Sequence, residues 1–166
     1  MLNRKELDGF KPSTSQEPMS APAHEFPQIT VRNLQRTVAV DLAELEKFAA
    51  NAVQRCMQLR RHKPTQLAKL REIFVLLISD RRMAALHRQF LNQPGPTDVL
   101  TFQHGEIFIS VQTARRHARA FGNSLTRELQ LYIAHGLLHL HGFDDRKRID
   151  ARKMERMQEK ILRCAL

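Results

Sequence analysis

Residues 133–146 read IAHGLLHLHGFDDR. His135 and His139 are four positions apart, so on an α-helix both imidazoles project from one face and can grip a single ion. Gly142 stands three residues past His139, where a left-handed residue ends a helix and reverses the chain. Asp145 comes three residues later, where the returning loop brings a carboxylate back beside the imidazoles. Two nitrogens and one oxygen make the three-ligand set of a catalytic zinc, which keeps its fourth position open. A histidine pair alone is commonplace in a chain with eight histidines; the glycine and aspartate at these offsets are what make H-x3-H-x2-G-x2-D a metal candidate. Asp144 competes with Asp145 as third ligand, and the spacing from Gly142 favours Asp145. His141 lies about 200° round the helix from His139 and is a poor ligand candidate.

The helix that carries the histidines decides the fold. From residue 129 to 140 it is apolar nearly all round, with Leu129, Leu131, Tyr132, Ile133, Ala134, Leu137, Leu138 and Leu140. Such a helix belongs in the middle of a domain, and the rest of the chain must wrap it. Burial also makes it a rigid mount for ligands. Ser124 is its expected cap. Glu128 sits on the histidine face seven residues before His135; it reads as an exposed first-turn acid or as a partner supporting a ligand.

Outward from that helix, the 166 residues suit one domain with a real core. Residues 1–27 are polar, contain four prolines and read as a disordered tail with an exposed His24. Residues 28–35 alternate as a first strand. Asp41 caps an expected helix over residues 42–59, ending in Arg60, Arg61, His62 and Lys63, a first candidate phosphate surface. Residues 72–79, EIFVLLIS, predict a central strand buried on both faces. Asp80 is the expected cap of a helix with Met83, Leu86 and Phe90 inward. Residues 98–104 and 106–110 predict a hairpin hinged near Gly105. Ser110 then caps a helix bearing Arg115, Arg116, His117 and Arg119. The final helix begins near residue 146 with Ile149, Met154, Met157 and Ile161 inward.

The charge narrows the function. Of 27 basic and 17 acidic residues, the first 27 positions hold three and four, so the +10 excess lies wholly in the remainder. A compact basic domain expects a polyanion, and nucleic acid is the commonest one. Cys56 and Cys164 form no CxxC and read as thiols of a reducing compartment, with no signal peptide or membrane span, so the cytoplasm is expected. Zinc proteases of the HExxH type need a glutamate after the first histidine; this chain has Gly136. A phosphodiester is therefore the favoured electrophile, and RNA offers its own 2′-hydroxyl as a nucleophile.

HGLLHLHGFDD resembles the H-G-x-L-H-L-x-G-[YF]-D-H signature of the YbeY family of endoribonucleases, the rRNA maturation factors. PTDVLTF at residues 96–102 is similar to that family's P-T-D-V-[LI]-[ST]-F, and GEIFIS at 105–110 to its G-[DE]-I-x-I-S. The likeness spans residues 28–163. It implies a metal held by three side chains and usually taken as zinc, and cleavage of single-stranded RNA. It further implies a role in small-subunit ribosomal RNA maturation and ribosome quality control, with small-subunit proteins as partners. Two positions depart from the pattern. The family's third ligand is normally His and here is Asp145, which binds zinc but makes a coordinated water less acidic. An Arg ahead of the P-T-D motif, thought to help with phosphate, is replaced by Leu91.

The expectation is thus an α+β fold: a single domain over residues 28–166, a mixed sheet of about four strands, about five helices, and a metal site at the end of the buried helix. The expected activity is zinc-dependent endoribonuclease action, with one Zn2+ on His135, His139 and Asp145. Arg88, Arg115 and Arg116 are candidate RNA contacts. The alternatives are a ribosome- or RNA-binding assembly factor with a structural metal, and a zincin-like hydrolase.

Overall fold

A computed structural model describes residues 26–166. The expected tail lies outside the described residues except for Phe26 and Pro27, and Phe26 packs against the core. The chain opens with β1 (Gln28–Asn33) and α1 (Leu42–Met57), whose Asp41 cap accepts from the Glu44 amide. Leu45, Phe48, Ala49, Ala52, Val53 and Cys56 form the buried stripe of α1 at helical spacing. A single turn, α2 (Gln66–Lys69), follows under a Thr65 cap. This turn is the sixth helix beyond the five expected, and four residues carry no period to read.

Next come β2 (Glu72–Ile78), α3 (Asp80–Leu91), β3 (Val99–Thr101) and β4 (Glu106–Ser110). The strands form one mixed sheet in the order β1-β2-β4-β3. β1 and β4 flank β2 in parallel, while β3 turns back on β4 as the expected hairpin, pairing Val99 with Ile109 and Thr101 with Ile107. Ile73, Val75 and Leu77 of β2 align with Val31, Ile107 and Ile109 on one fully buried face. The opposite face is only half covered: Phe74, Leu76 and Phe108 are intermediate, and Arg32 lies 5.5 Å over the Phe74 ring. Burial of β2 on both faces is therefore corrected. The run EIFVLLIS is apolar on each side, but one side meets only partial cover.

The chain closes with α4 (Val111–Phe121), α5 (Leu125–Leu140) and α6 (Arg148–Ala165). As its composition requires, α5 is central: it packs on α1, α4 and α6 and on strands β3 and β4. Gly136 makes this approach possible. A Cβ there would stand 2.7 Å from Cγ2 of Ile107, so the helix reaches the sheet only because the position is bare.

Two inward assignments and one cap are corrected. Phe90 is 53% exposed and packs edge-on against Phe102, and Ile149 is 76% exposed at the start of α6. Asp80 is not a cap, since Ser79 holds that position and accepts from the Arg82 amide. Ser110 precedes α4 as expected but makes no capping bond, because its hydroxyl donates to Asp80 instead.

Candidate metal centre

The end of α5 is built by local bonding that the glycine permits. The amide of Gly142 donates to the carbonyl of His139 and that of Phe143 to Leu138, both at 2.9 Å, with Gly142 at φ +84°. This paired closure is a Schellman motif, and it turns the chain back across the helix end. The loop is clamped from outside: Arg61 donates to the Gly142 carbonyl and stacks 4.5 Å from the Phe143 ring. His141 points elsewhere. It is buried, with Nε2 2.9 Å from the Leu59 carbonyl and Nδ1 3.3 Å from the Thr65 hydroxyl.

Asp144 and Asp145 part company in this loop. Asp144 accepts from the backbone amide and guanidinium of Arg146, at 3.1 Å and 2.8 Å. Asp145 swings the other way, its Oδ2 lying 3.6 Å from His135 Nε2 and 3.7 Å from His139 Nε2. The two Nε2 atoms are 3.0 Å apart. Two ligands about 2.1 Å from a tetrahedral zinc are roughly 3.4 Å apart, so all three separations suit one shared ion. Among the described residues, His135, His139 and Asp145 form the one such group.

The hydrogen bonds behind the imidazoles fix what faces the gap. His135 Nδ1 is 3.0 Å from the Gln158 side-chain oxygen, and His139 Nδ1 is 3.2 Å from the Phe143 carbonyl. Carbonyl oxygens only accept, so each Nδ1 carries its proton and each Nε2 presents a lone pair. Two lone pairs and a carboxylate oxygen cannot hydrogen-bond to one another. A cation between them resolves the contact, and the outer bonds are those that orient metal-binding histidines. Burial lowers the His139 pKa, the neighbouring His135 lowers it further, and Asp145, the Phe143 carbonyl and Asp144 only partly restore it. The balance favours the neutral, ligating form.

Three open clefts meet at these residues. The first, about 460 Å³, lies between α4 and α6 over the first half of α5 and contains His135 and Asp145. The second contains His135, His139 and Asp144 beside β3. The third, about 520 Å³, joins His139 to Arg60, Arg61, His62 and Lys63. Arg88, Arg115 and Arg116 line none of the three: Arg88 is exposed on α3, Arg115 is exposed on α4, and Arg116 is bound 2.6 Å from Asp80.

Two clusters escaped the sequence reading. Glu128 is only 3% exposed, not the exposed first-turn acid expected, and it hydrogen-bonds to Tyr132 and, at 3.2 Å, to Asn123 Nδ2. Tyr132 in turn lies 2.6 Å from His117 Nδ1. Burial raises the Tyr132 pKa and the Glu128 and Asp98 charges raise it further, so the hydroxyl keeps its proton. The second cluster centres on Asp80, which accepts from Ser110, Thr113 and Arg116 and whose amide donates to Gln112 Oε1. An acid seven residues before a histidine and an aspartate after a serine were the only signals, and neither states a partner.

Fold and site together define a small α+β protein with three helix-end side chains, His135, His139 and Asp145, that could hold one metal ion. The family model described as endoribonuclease YbeY matches residues 30–165. Among proteins named endoribonuclease YbeY, the chain is 33% identical over 149 residues to that of Pelotomaculum thermopropionicum, covering 81% of this chain and 94% of the relative. It is 42% identical over 102 residues to that of Thermus thermophilus, covering 54% and 73%. To that of an Anaeromyxobacter species it is 40% identical over 103 residues, 56% of this chain, and spans about half, 54%, of that relative. A Thermotoga maritima protein solved in solution has a similar fold, with a TM-score of 0.56 at 26% identity, over 82% of this chain and 89% of the other. The chain belongs to the endoribonuclease YbeY family.

Proposed function

We propose that this protein is a zinc-dependent endoribonuclease that cuts single-stranded RNA during maturation of small-subunit ribosomal RNA in the cytoplasm. The observation that supports it is the convergence of three acceptor atoms, His135 Nε2, His139 Nε2 and Asp145 Oδ2, each within 3.7 Å of the others. When bound there, zinc supplies Lewis acidity to a phosphodiester and activates water near neutral pH. Gln158 and the Phe143 carbonyl hold the imidazoles in their ligating tautomer. Gly136 faces Ile107 in the interior, so the position that carries a peptidase base is turned away from the site. The basic residues Arg60, His62 and Lys63 border the cleft beside His139, where they attract the phosphates of a strand crossing the ligands. The wider +10 charge, including Arg88 and Arg115, adds a long-range pull on the same polyanion. No helix among the described residues is long and apolar enough to cross a membrane.

A second reading, an RNA-binding ribosome assembly factor with a structural metal, is favoured by Leu91, an exposed apolar side chain where the resemblance leads to an arginine. Metal analysis of the purified wild type and His139→Ala, followed by cleavage assays of both on single-stranded RNA, separates the two. The nuclease reading expects about one zinc per wild-type chain, loss of zinc and cleavage in the variant, and no cleavage by wild type after chelation. Metal-free but active wild type, or undiminished cleavage by the variant, overturns it. Zinc-replete wild type that binds RNA without cutting it selects the assembly factor.

A further inference from the structure

We infer that the cleft between α4 and α6 is a nucleobase subsite, in which one unpaired base of the RNA stacks on Phe121 beside the metal centre. The inference rests on the RNA-cleaving reading and assigns that reading a specific binding contact. Phe121 is the last residue of α4 and 72% exposed. A lone exposed phenylalanine on a surface needs no explanation. This one lines the same cleft as His135 and Asp145.

Its surroundings are those of a stacking platform. The Phe121, His117 and Tyr132 rings form an edge-to-face row, with centroids 6.1 Å and 6.4 Å apart, leading from the rim to the floor. The row is pinned at its inner end. The Tyr132 hydroxyl lies 2.6 Å from His117 Nδ1, a hydrogen bond that ties the His117 ring to the cleft floor. Gly122, at φ +70°, ends α4 directly after Phe121 and has nothing within 4 Å of its Cβ position. The facing wall carries Arg148 and Arg152 of α6, which make no ion pair or hydrogen bond among the described residues. An exposed ring with free guanidinium groups opposite is the arrangement that holds a base by its face and its backbone by charge. The acids Asp98 and Glu155 also line this cleft, so the cations there serve a local phosphate and not a long polyanion.

The chain contains no tryptophan, which makes Phe121→Trp a clean reporter. The full chain is titrated with a ten-nucleotide oligoadenylate in EDTA, which blocks cleavage, and binding is followed by anisotropy and by indole emission. The expected result is saturable quenching in Phe121→Trp at wild-type affinity. Phe121→Ala is expected to bind roughly 5- to 100-fold more weakly, with unchanged Tm and zinc content. Binding by Phe121→Ala within twofold of wild type, unquenched indole on bound RNA, or no binding at all by wild type overturns the subsite. Cleavage by the zinc-loaded wild type is measured separately on the same RNA. Quenching without cleavage removes the nuclease reading alone, and cleavage without quenching removes the subsite alone.

Discussion

Asp80 and Asp145 are the same residue type in opposite company. Asp80, at the start of α3, receives hydrogen bonds from Ser110, Thr113 and Arg116, so its charge is answered by donors of the fold. Asp145, in the loop after α5, faces two imidazole nitrogens that present lone pairs, with the Arg146 charge nearby but not hydrogen-bonded to it. A carboxylate ringed by donors ties elements together. One set among acceptors is placed where a cation would be held. The difference separates a structural clasp from a candidate cation site.

The largest expected effect tests the acceptor side. Asp145→Ala should lower zinc affinity by at least about 100-fold, because it removes an ion ligand and not merely a supporting bond. Asp145→His, which restores the residue that the family pattern carries, should retain zinc; isothermal titration of both checks the pair. Zinc affinity unchanged in Asp145→Ala would move the third ligand elsewhere. A smaller loss, roughly 10- to 100-fold, is expected for Gln158→Ala, which frees the His135 ring to change tautomer.

On the donor side the effect falls on stability. Asp80→Asn should cost roughly 1–3 kcal/mol, discounted for the partly exposed Arg116, with no change in zinc content. Burial pushes the Asp80 carboxyl up, but the Ser110, Arg116 and Thr113 hydrogen bonds and the Arg116 charge outweigh it, so its pKa lies below the ordinary value. A depressed folded pKa gives stability that is present above the unfolded value, about 4, and lost as pH falls towards the folded one. Wild-type Tm should therefore fall more steeply below about pH 4 than that of Asp80→Asn. Parallel curves would show that Asp80 gains nothing from its donors. Smallest of all, Arg115→Ala should weaken RNA binding by less than about threefold and reduce the salt slope by less than about one. A larger loss would bring α4 into direct contact with RNA.

Much of this was legible from residues 125–146. A helix apolar on every side had to be central, Gly142 had to reverse the chain, and the two histidines had to share a face; the structure has all three. The hairpin at Gly105 and the buried stripe of α1 followed from period and turn chemistry. What was hidden depended on distant partners. Nothing near Glu128 says that Tyr132 and Asn123 will bury it, and nothing near Asp80 says that the end of β4 and the start of α4 will deliver three donors thirty residues later. Ile149 and Phe90 fitted their helical stripes yet faced solvent, because period finds a face and not what covers it. The contrast between Asp144 and Asp145 turns on Arg146, which takes Asp144 for itself.

Zinc is expected to sit between His135, His139 and Asp145. X-ray absorption at the zinc edge, on the full chain and on His139→Ala, tests it most directly. Wild type is expected to show only nitrogen and oxygen neighbours near about 2.0–2.2 Å, and the variant to lose bound zinc. A sulfur neighbour near about 2.3 Å, or zinc held equally well by His139→Ala, would contradict it.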